Sequence, residues 1–169
     1  MMKPILENWN KYIKEEQLQS SIWYHTTSPK ALPLIEKNGL KVGSEAFKSQ
    51  GSLDYMKAIY GMIPLFISKE KGMYKNGVAL KLDLTGLSLV ADIPTLIDFG
   101  GQMEPDYIWF EEDHTPFELF DVVDGDGAIY FEDLINPNSN IARAIINFTK
   151  TAAVMQDIGP ERIEVIGQV

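Results

Sequence analysis

Ser21-Ile22-Trp23-Tyr24-His25-Thr26-Thr27-Ser28-Pro29 is the stretch on which the reading of the fold turns. Its first seven residues are rich in aromatic and β-branched side chains, which predicts a strand over 21–27. Ser28 can cap orphan amides and Pro29 is pre-set for a first helical position, so a helix starts at once. Leu32, Leu34 and Ile35 give that helix an apolar face, Pro33 places its regular part late, and Gly39 stops it. Upstream, Ile5, Trp9, Tyr12 and Ile13 recur at helical spacing among Lys and Glu, predicting an amphipathic packing helix within 1–19.

Downstream, small and polar residues predict a loop over 43–51, followed by a short helix over 54–60 and a strand over 63–68. Lys75-Asn76-Gly77 is a turn signal ahead of a strand over 78–84, and a further strand is expected over 87–91. Short helices are predicted near 94–98, 116–122 and 141–147, with Asp124-Gly125-Asp126-Gly127 turning the chain into 128–131. Strands over 152–156 and 162–166 are joined through Gly159-Pro160. Strands alternating with short helices and hairpin-like spacings give an α+β class: one mixed, mostly antiparallel sheet with short flanking helices. At 169 residues the chain suits one core, with residues 1–169 as a single domain. There is no Gly-rich strand-to-helix fingerprint and no Walker-type Gly-Lys-Ser/Thr run, which excludes those phosphate cradles.

Composition narrows the chemistry. The absence of cysteine rules out disulfides, thiolate metal sites and a cysteine nucleophile, and suits a reducing cytosol. No apolar run approaches the roughly 20 residues that cross a bilayer, so a cytoplasmic protein without membrane partners is expected. The net charge of −9 is unevenly placed: residues 1–81 carry 12 basic residues against 7 acids, and residues 82–169 carry 3 against 17. The acidic half repels phosphate, so a protein partner is favoured over duplex nucleic acid, and nucleic acid would have to enter over the Lys-rich half. Asp121, Asp124, Asp126 and Glu132 fail an EF-hand register, because Asp126 stands where glycine is required. Asp113-His114 has no second histidine or cysteine at metal spacing, so no metal is expected.

His25, taken alone, is a strand histidine that a backbone partner can satisfy. Its setting adds more. A strand carrying Tyr24-His25-Thr26-Thr27-Ser28, a helix of about ten residues and then Asn38-Gly39-Leu40 resembles the opening of ADP-ribosyltransferases and their relatives, among them poly(ADP-ribose) polymerases, DarT-type toxins and tRNA 2′-phosphotransferases. Pro64-Leu65-Phe66-Ile67-Ser68 is similar to the family's second core strand, residues 78–84 to its third, and Asp157-Ile158-Gly159-Pro160-Glu161-Arg162-Ile163 to the turn joining its last two strands. These matches cover about half the chain in the family's order, and residues 93–147 stand outside them as an acidic insertion. The resemblance implies a split sheet of the ADP-ribosyltransferase type that holds NAD⁺ as substrate between the first two core strands.

It also implies residue roles. His25 and Thr26 would hold the dinucleotide, the histidine on a ribose hydroxyl and Thr26 through its backbone on the nicotinamide amide, with Thr27 beside them. Phe66, Tyr60 and Tyr74 can stack on nicotinamide, Tyr74 matching the family's stacking tyrosine best, and Ser68 would touch the nicotinamide ribose. Many active members carry a glutamate just before the strand expected at 152–156, where this sequence has Lys150-Thr151. A threonine cannot supply negative charge to a developing cation. Another carboxylate would therefore have to serve, with Glu104, Asp106, Glu111 and Glu112 as the candidates. Three readings remain: transfer of ADP-ribose to a macromolecular acceptor, as in a toxin or host-modifying effector; a non-catalytic module on the same fold, binding ADP-ribose or a nucleotide or, through its acidic surface, a basic protein partner; and a 2′-phosphotransferase. The last relies on several arginines that clasp phosphate, and only Arg143 and Arg162 are present.

Overall fold

The computed structural model describes residues 22–43, 50–71, 77–111, 119 and 127–168. The helix expected within 1–19, the tyrosine at 74, the glutamate at 112 and most of the helix expected at 116–122 lie outside the described residues. The main sheet has six strands in the order β4-β8-β2-β1-β3-β9, and a second sheet has three in the order β5-β6-β7. In chain order the main strands are β1 (Ile22–Thr27), β2 (Leu65–Ser68), β3 (Val78–Asp83), β4 (Leu89–Val90), β8 (Thr151–Val154) and β9 (Ile163–Gln168). The small sheet comprises β5 (Gln102–Met103), β6 (Tyr107–Trp109) and β7 (Ala128–Tyr130). Every described strand pair is antiparallel. The helices are α1 (Leu32–Asn38), α2 (Gln50–Tyr60), α3 (Ile93–Asp98), α4 (Phe131–Leu134) and α5 (Asn140–Thr149).

The period-two alternation of the strands sorts their side chains onto two faces. On β8, Ala152 and Val154 join a core with Trp23, Ile67, Leu80 and Leu82, against which α1 sets Ile35. Ala153 points the other way, into a core shared with Tyr60 of α2, Leu96 of α3, Ile145 of α5 and Ile108 and Ile129 of the small sheet. A sheet buried on both faces explains why its strands read as near-continuous apolar runs.

Two motifs distant in sequence meet at one end of the sheet. Gly39, at φ 78°, caps α1, and a side chain there would collide with the Ile158 carbonyl oxygen. Glycine at this point lets Leu40 and Ile158 exchange both backbone hydrogen bonds at 2.9 Å, and Asp157 accepts from the Val42 amide at 2.9 Å. Arg162 donates to the carbonyls of Asp83 and Thr85 at 3.1 and 2.9 Å, tying the start of β9 to the end of β3.

Several expected boundaries move. The helix expected over 54–60 begins at Gln50, taking the end of the expected loop, and the strand expected over 87–91 shrinks to Leu89–Val90. Within 128–131, for which the sequence assigns no element, Ala128–Tyr130 is a strand and Phe131 opens a helix. Residues 93–147 supply α3, the small sheet, α4 and α5, docked on β4 and β8. Ala91 N–H donates to the Leu134 carbonyl at 3.0 Å, and Phe131 N–H donates to that of Asp106 at 3.0 Å.

Candidate active site

β1 is paired on both edges, but unequally. Against β3 it forms a continuous ladder from Ile22 opposite Asp83 to Thr27 opposite Val78. Against β2 only Tyr24 and Ser68 are in register. Beyond that point the strands part, and their backbone groups need other partners. His25 supplies one: its Nδ1 donates to the Phe66 carbonyl at 2.8 Å. Lys69 supplies another, its ammonium donating to the Ile22 carbonyl at 2.9 Å while lying 4.0 Å from the Trp23 ring centroid. Side chains thus complete the hydrogen bonding that the open ladder leaves undone.

The opening leads into a cleft of about 300 Å³, lined by Tyr24, His25 and Thr26 of β1, Phe66 and Ser68 of β2, Thr151 of β8 and one side of α3 from its cap Asp92 to Asp98. Burial holds the His25 imidazole below its ordinary pKa, so the ring is neutral at pH 7. With the proton fixed on Nδ1 by a carbonyl that can only accept, Nε2 is left as an acceptor. A hydroxyl donor suits it. Phe66 packs edge-on to Tyr60 with ring centroids 6.2 Å apart. Tyr60 itself is buried: its hydroxyl donates to the Ala91 carbonyl at 2.7 Å and accepts from Ile93 N–H at 2.9 Å. It is a core tyrosine and not a stacking surface.

The carboxylates facing the cleft are Glu70, Asp92 and Asp98. Asp92 caps α3, accepting from the Thr95 amide at 3.1 Å and the Thr95 hydroxyl at 2.8 Å. The Thr151 hydroxyl, which donates to Thr149 Oγ1 at 3.0 Å, stands beside the carboxyl and acts to lower its pKa. Asp92 is only 5% exposed, and desolvation raises its carboxyl above the usual range despite these donors. The arrangement arises locally: α5 ends at Lys150 in the left-handed region (φ 58°), so Thr151 enters β8 facing α3.

His25, Thr26, Phe66 and Ser68 are brought together in this cleft, and Thr27 is in β1 but does not line it. Glu104 and Asp106 are exposed on the turn between β5 and β6, and Glu111 follows β6; none of the three lines the cleft. The carboxylate beside Thr151 is Asp92, which the sequence reading missed. Its available signal was an N-cap pattern, aspartate followed two residues on by Pro94 and three on by Thr95. Among the described lining residues there is no arginine; Arg162 is engaged by backbone carbonyls, and the Nε of Arg143 is buried without a partner. Among the described residues no group of His, Asp and Glu has the makings of a metal site, and no helix is long and apolar enough to cross a membrane. No family model, curated protein or solved structure matches the chain.

Proposed function

We propose that the cleft between β1 and β2 binds NAD⁺ and that the protein transfers ADP-ribose from it, on an ADP-ribosyltransferase-like split sheet. The observation that carries this reading is the parting of β1 from β2 at His25, whose Nδ1 is spent on Phe66 and whose Nε2 is left to accept from a ribose hydroxyl. Phe66 offers an apolar face for nicotinamide, and Ser68 and Thr26 add polar groups around the ribose. In the reaction, the C1′–N bond breaks with its electron pair passing to the pyridinium nitrogen. Neutral nicotinamide leaves, and the positive charge moves to the ribose. An acceptor nucleophile then bonds C1′ and loses its proton. Negative charge near C1′ lowers the barrier. Asp92 is the carboxylate best placed for this, in the position where Thr151 alone would be inadequate.

The second reading, a module that binds the nucleotide without turning it over, is favoured by one observation. The Asp92 carboxylate already receives two hydrogen bonds, from the Thr95 amide and hydroxyl, which leaves it less able to orient a substrate hydroxyl. Labelled NAD⁺ incubated with the protein and a cell lysate separates the two. Transfer predicts nicotinamide release and labelled macromolecule, and Asp92→Asn should cut release about a hundredfold with NAD⁺ affinity nearly unchanged. Binding without release, in wild type and in Thr151→Glu alike, selects the module. Release undiminished in Asp92→Asn removes that residue from the chemistry.

A further inference from the structure

The small sheet has two unlike faces. Ile108 of β6 and Ile129 of β7 point inward and are fully buried in the core. The alternate residues Tyr107 and Tyr130 stand opposite each other on the outer face, their ring centroids 5.6 Å apart and the rings tilted by 57°. Tyr130 keeps 41% of its surface exposed. The hairpin register extends this row by one residue. Met103 pairs with Ile108, and Glu104 N–H donates to the Tyr107 carbonyl at 2.9 Å, so Glu104 lies beside Tyr107 on the same face. Asp106, in the turn from β5 to β6, is tied to the start of α4 by the bond its carbonyl accepts from Phe131 N–H, and Glu132 comes next in the chain. Glu104, Asp106 and Glu132 are exposed, and among the described residues none of the three has an ion-pair partner. The sequence has no Lys or Arg between Glu104 and Asp133 to neutralise them.

Carboxylates alone would mark a solvated surface. Two adjacent tyrosine rings on an uncovered sheet face add something else, apolar area with a negative quadrupole that attracts a cation laid flat on it. A guanidinium meets both features at once: it can stack on a ring while its N–H groups reach the carboxylate beside that ring. An ammonium, compact and more strongly hydrated, meets them less well, and a phosphate or an acidic segment is repelled. We propose that this outer face, the row of Glu104, Tyr107 and Tyr130 with Asp106 and Glu132 at its margin, docks an arginine-rich segment of a protein partner. The surface is distinct from the cleft between β1 and β2, and its occupancy does not depend on what the cleft binds. Glu104 and Asp106, which lie away from the cleft, thereby gain a part in recognition.

Fluorescence anisotropy on the full chain tests this with two short labelled peptides, one alternating arginine with glycine and one alternating lysine with glycine, at an ionic strength of about 0.15 M. The arginine peptide should bind saturably and at least about threefold more tightly than the lysine peptide. Tyr130→Ala and Glu104→Gln, both at exposed positions, should each weaken it at least about threefold, and Tyr130→Phe, which keeps the ring, should retain the wild-type affinity. Glu36→Gln removes the same charge from an exposed position on α1 and should leave the affinity nearly unchanged. Undiminished binding in Tyr130→Ala, equal losses in Glu36→Gln and Glu104→Gln, or equal affinity for the two peptides would overturn the proposal, since general charge attraction would then account for the binding. An absence of saturable binding would overturn it too. So would dimerisation in sedimentation that Tyr130→Ala abolishes, because a second copy of the chain would then be what covers the face.

Discussion

Along its β3 edge β1 is paired residue by residue, whereas along its β2 edge only Tyr24 meets Ser68 before the strands separate. The same six residues thus build both a rigid seam and an opening. On the closed side backbone meets backbone, and the β3 side chains Leu80 and Leu82 are fully buried. On the open side His25 and Lys69 take over carbonyls that a neighbouring strand would otherwise have bonded. A split in a sheet is tolerated where side chains satisfy the groups it exposes, since an unpaired buried carbonyl or amide costs about 1–3 kcal/mol. Stability is concentrated on one edge of β1, and the potential for recognition on the other.

Truncating the closed edge should have the largest effect. Leu80→Ala removes a fully buried side chain and should cost about 2–5 kcal/mol in denaturant unfolding, without changing ligand affinity once the folded fraction is accounted for. His25→Ala acts on the open edge, orphaning the Phe66 carbonyl, and should cost about 1–3 kcal/mol. If it costs as much as Leu80→Ala, the opening is part of the structural core and the contrast between the edges fails.

Titration sharpens the contrast further. Burial depresses the folded-state pKa of His25, so its neutral form contributes stability that is fully present above the unfolded value of about 6.5 and is lost as pH falls through the folded value. The stability gap between wild type and His25→Ala should therefore narrow on acidification from pH 7.5. Asp92, raised by burial, acts with the opposite sign, losing stability as pH rises through its folded pKa, but it is common to both proteins and cancels in the gap. A gap that widens as pH falls would mean that the imidazole is charged in the folded state. The smallest effect belongs to Asp98→Asn, which should change thermal stability by less than about 0.5 kcal/mol because the side chain is exposed.

The closed edge was the more legible part of the sequence. β1, β3, β8 and β9 are runs of β-branched and aliphatic residues bounded by turn signals, and their strand periodicity survives in the structure with ends shifted by a residue or two. β5, β6 and α4 were not foreseen, because elements of two to four residues are held by packing on β4 and α5 and not by local preference. The site divides in the same way. His25, Thr26, Phe66 and Ser68 are in strands that the sequence places side by side. Asp92 meets Thr151 only because β4 and β8 pair antiparallel and α5 ends in a left-handed residue, contacts between segments far apart in the chain. The acid-rich stretch from Glu104 to Asp133 is the more conspicuous signal, but a density of charge marks solvated surface more readily than a buried carboxylate.

The most direct measurement is isothermal calorimetry of NAD⁺ binding to the wild type and to His25→Ala, both verified as folded by thermal unfolding. If the opening of β1 from β2 is a nucleotide cleft, the wild type should give a saturable heat and the variant, retaining a cooperative transition, should give none. Undiminished binding in His25→Ala, or no heat with millimolar NAD⁺ in the wild type, would contradict it.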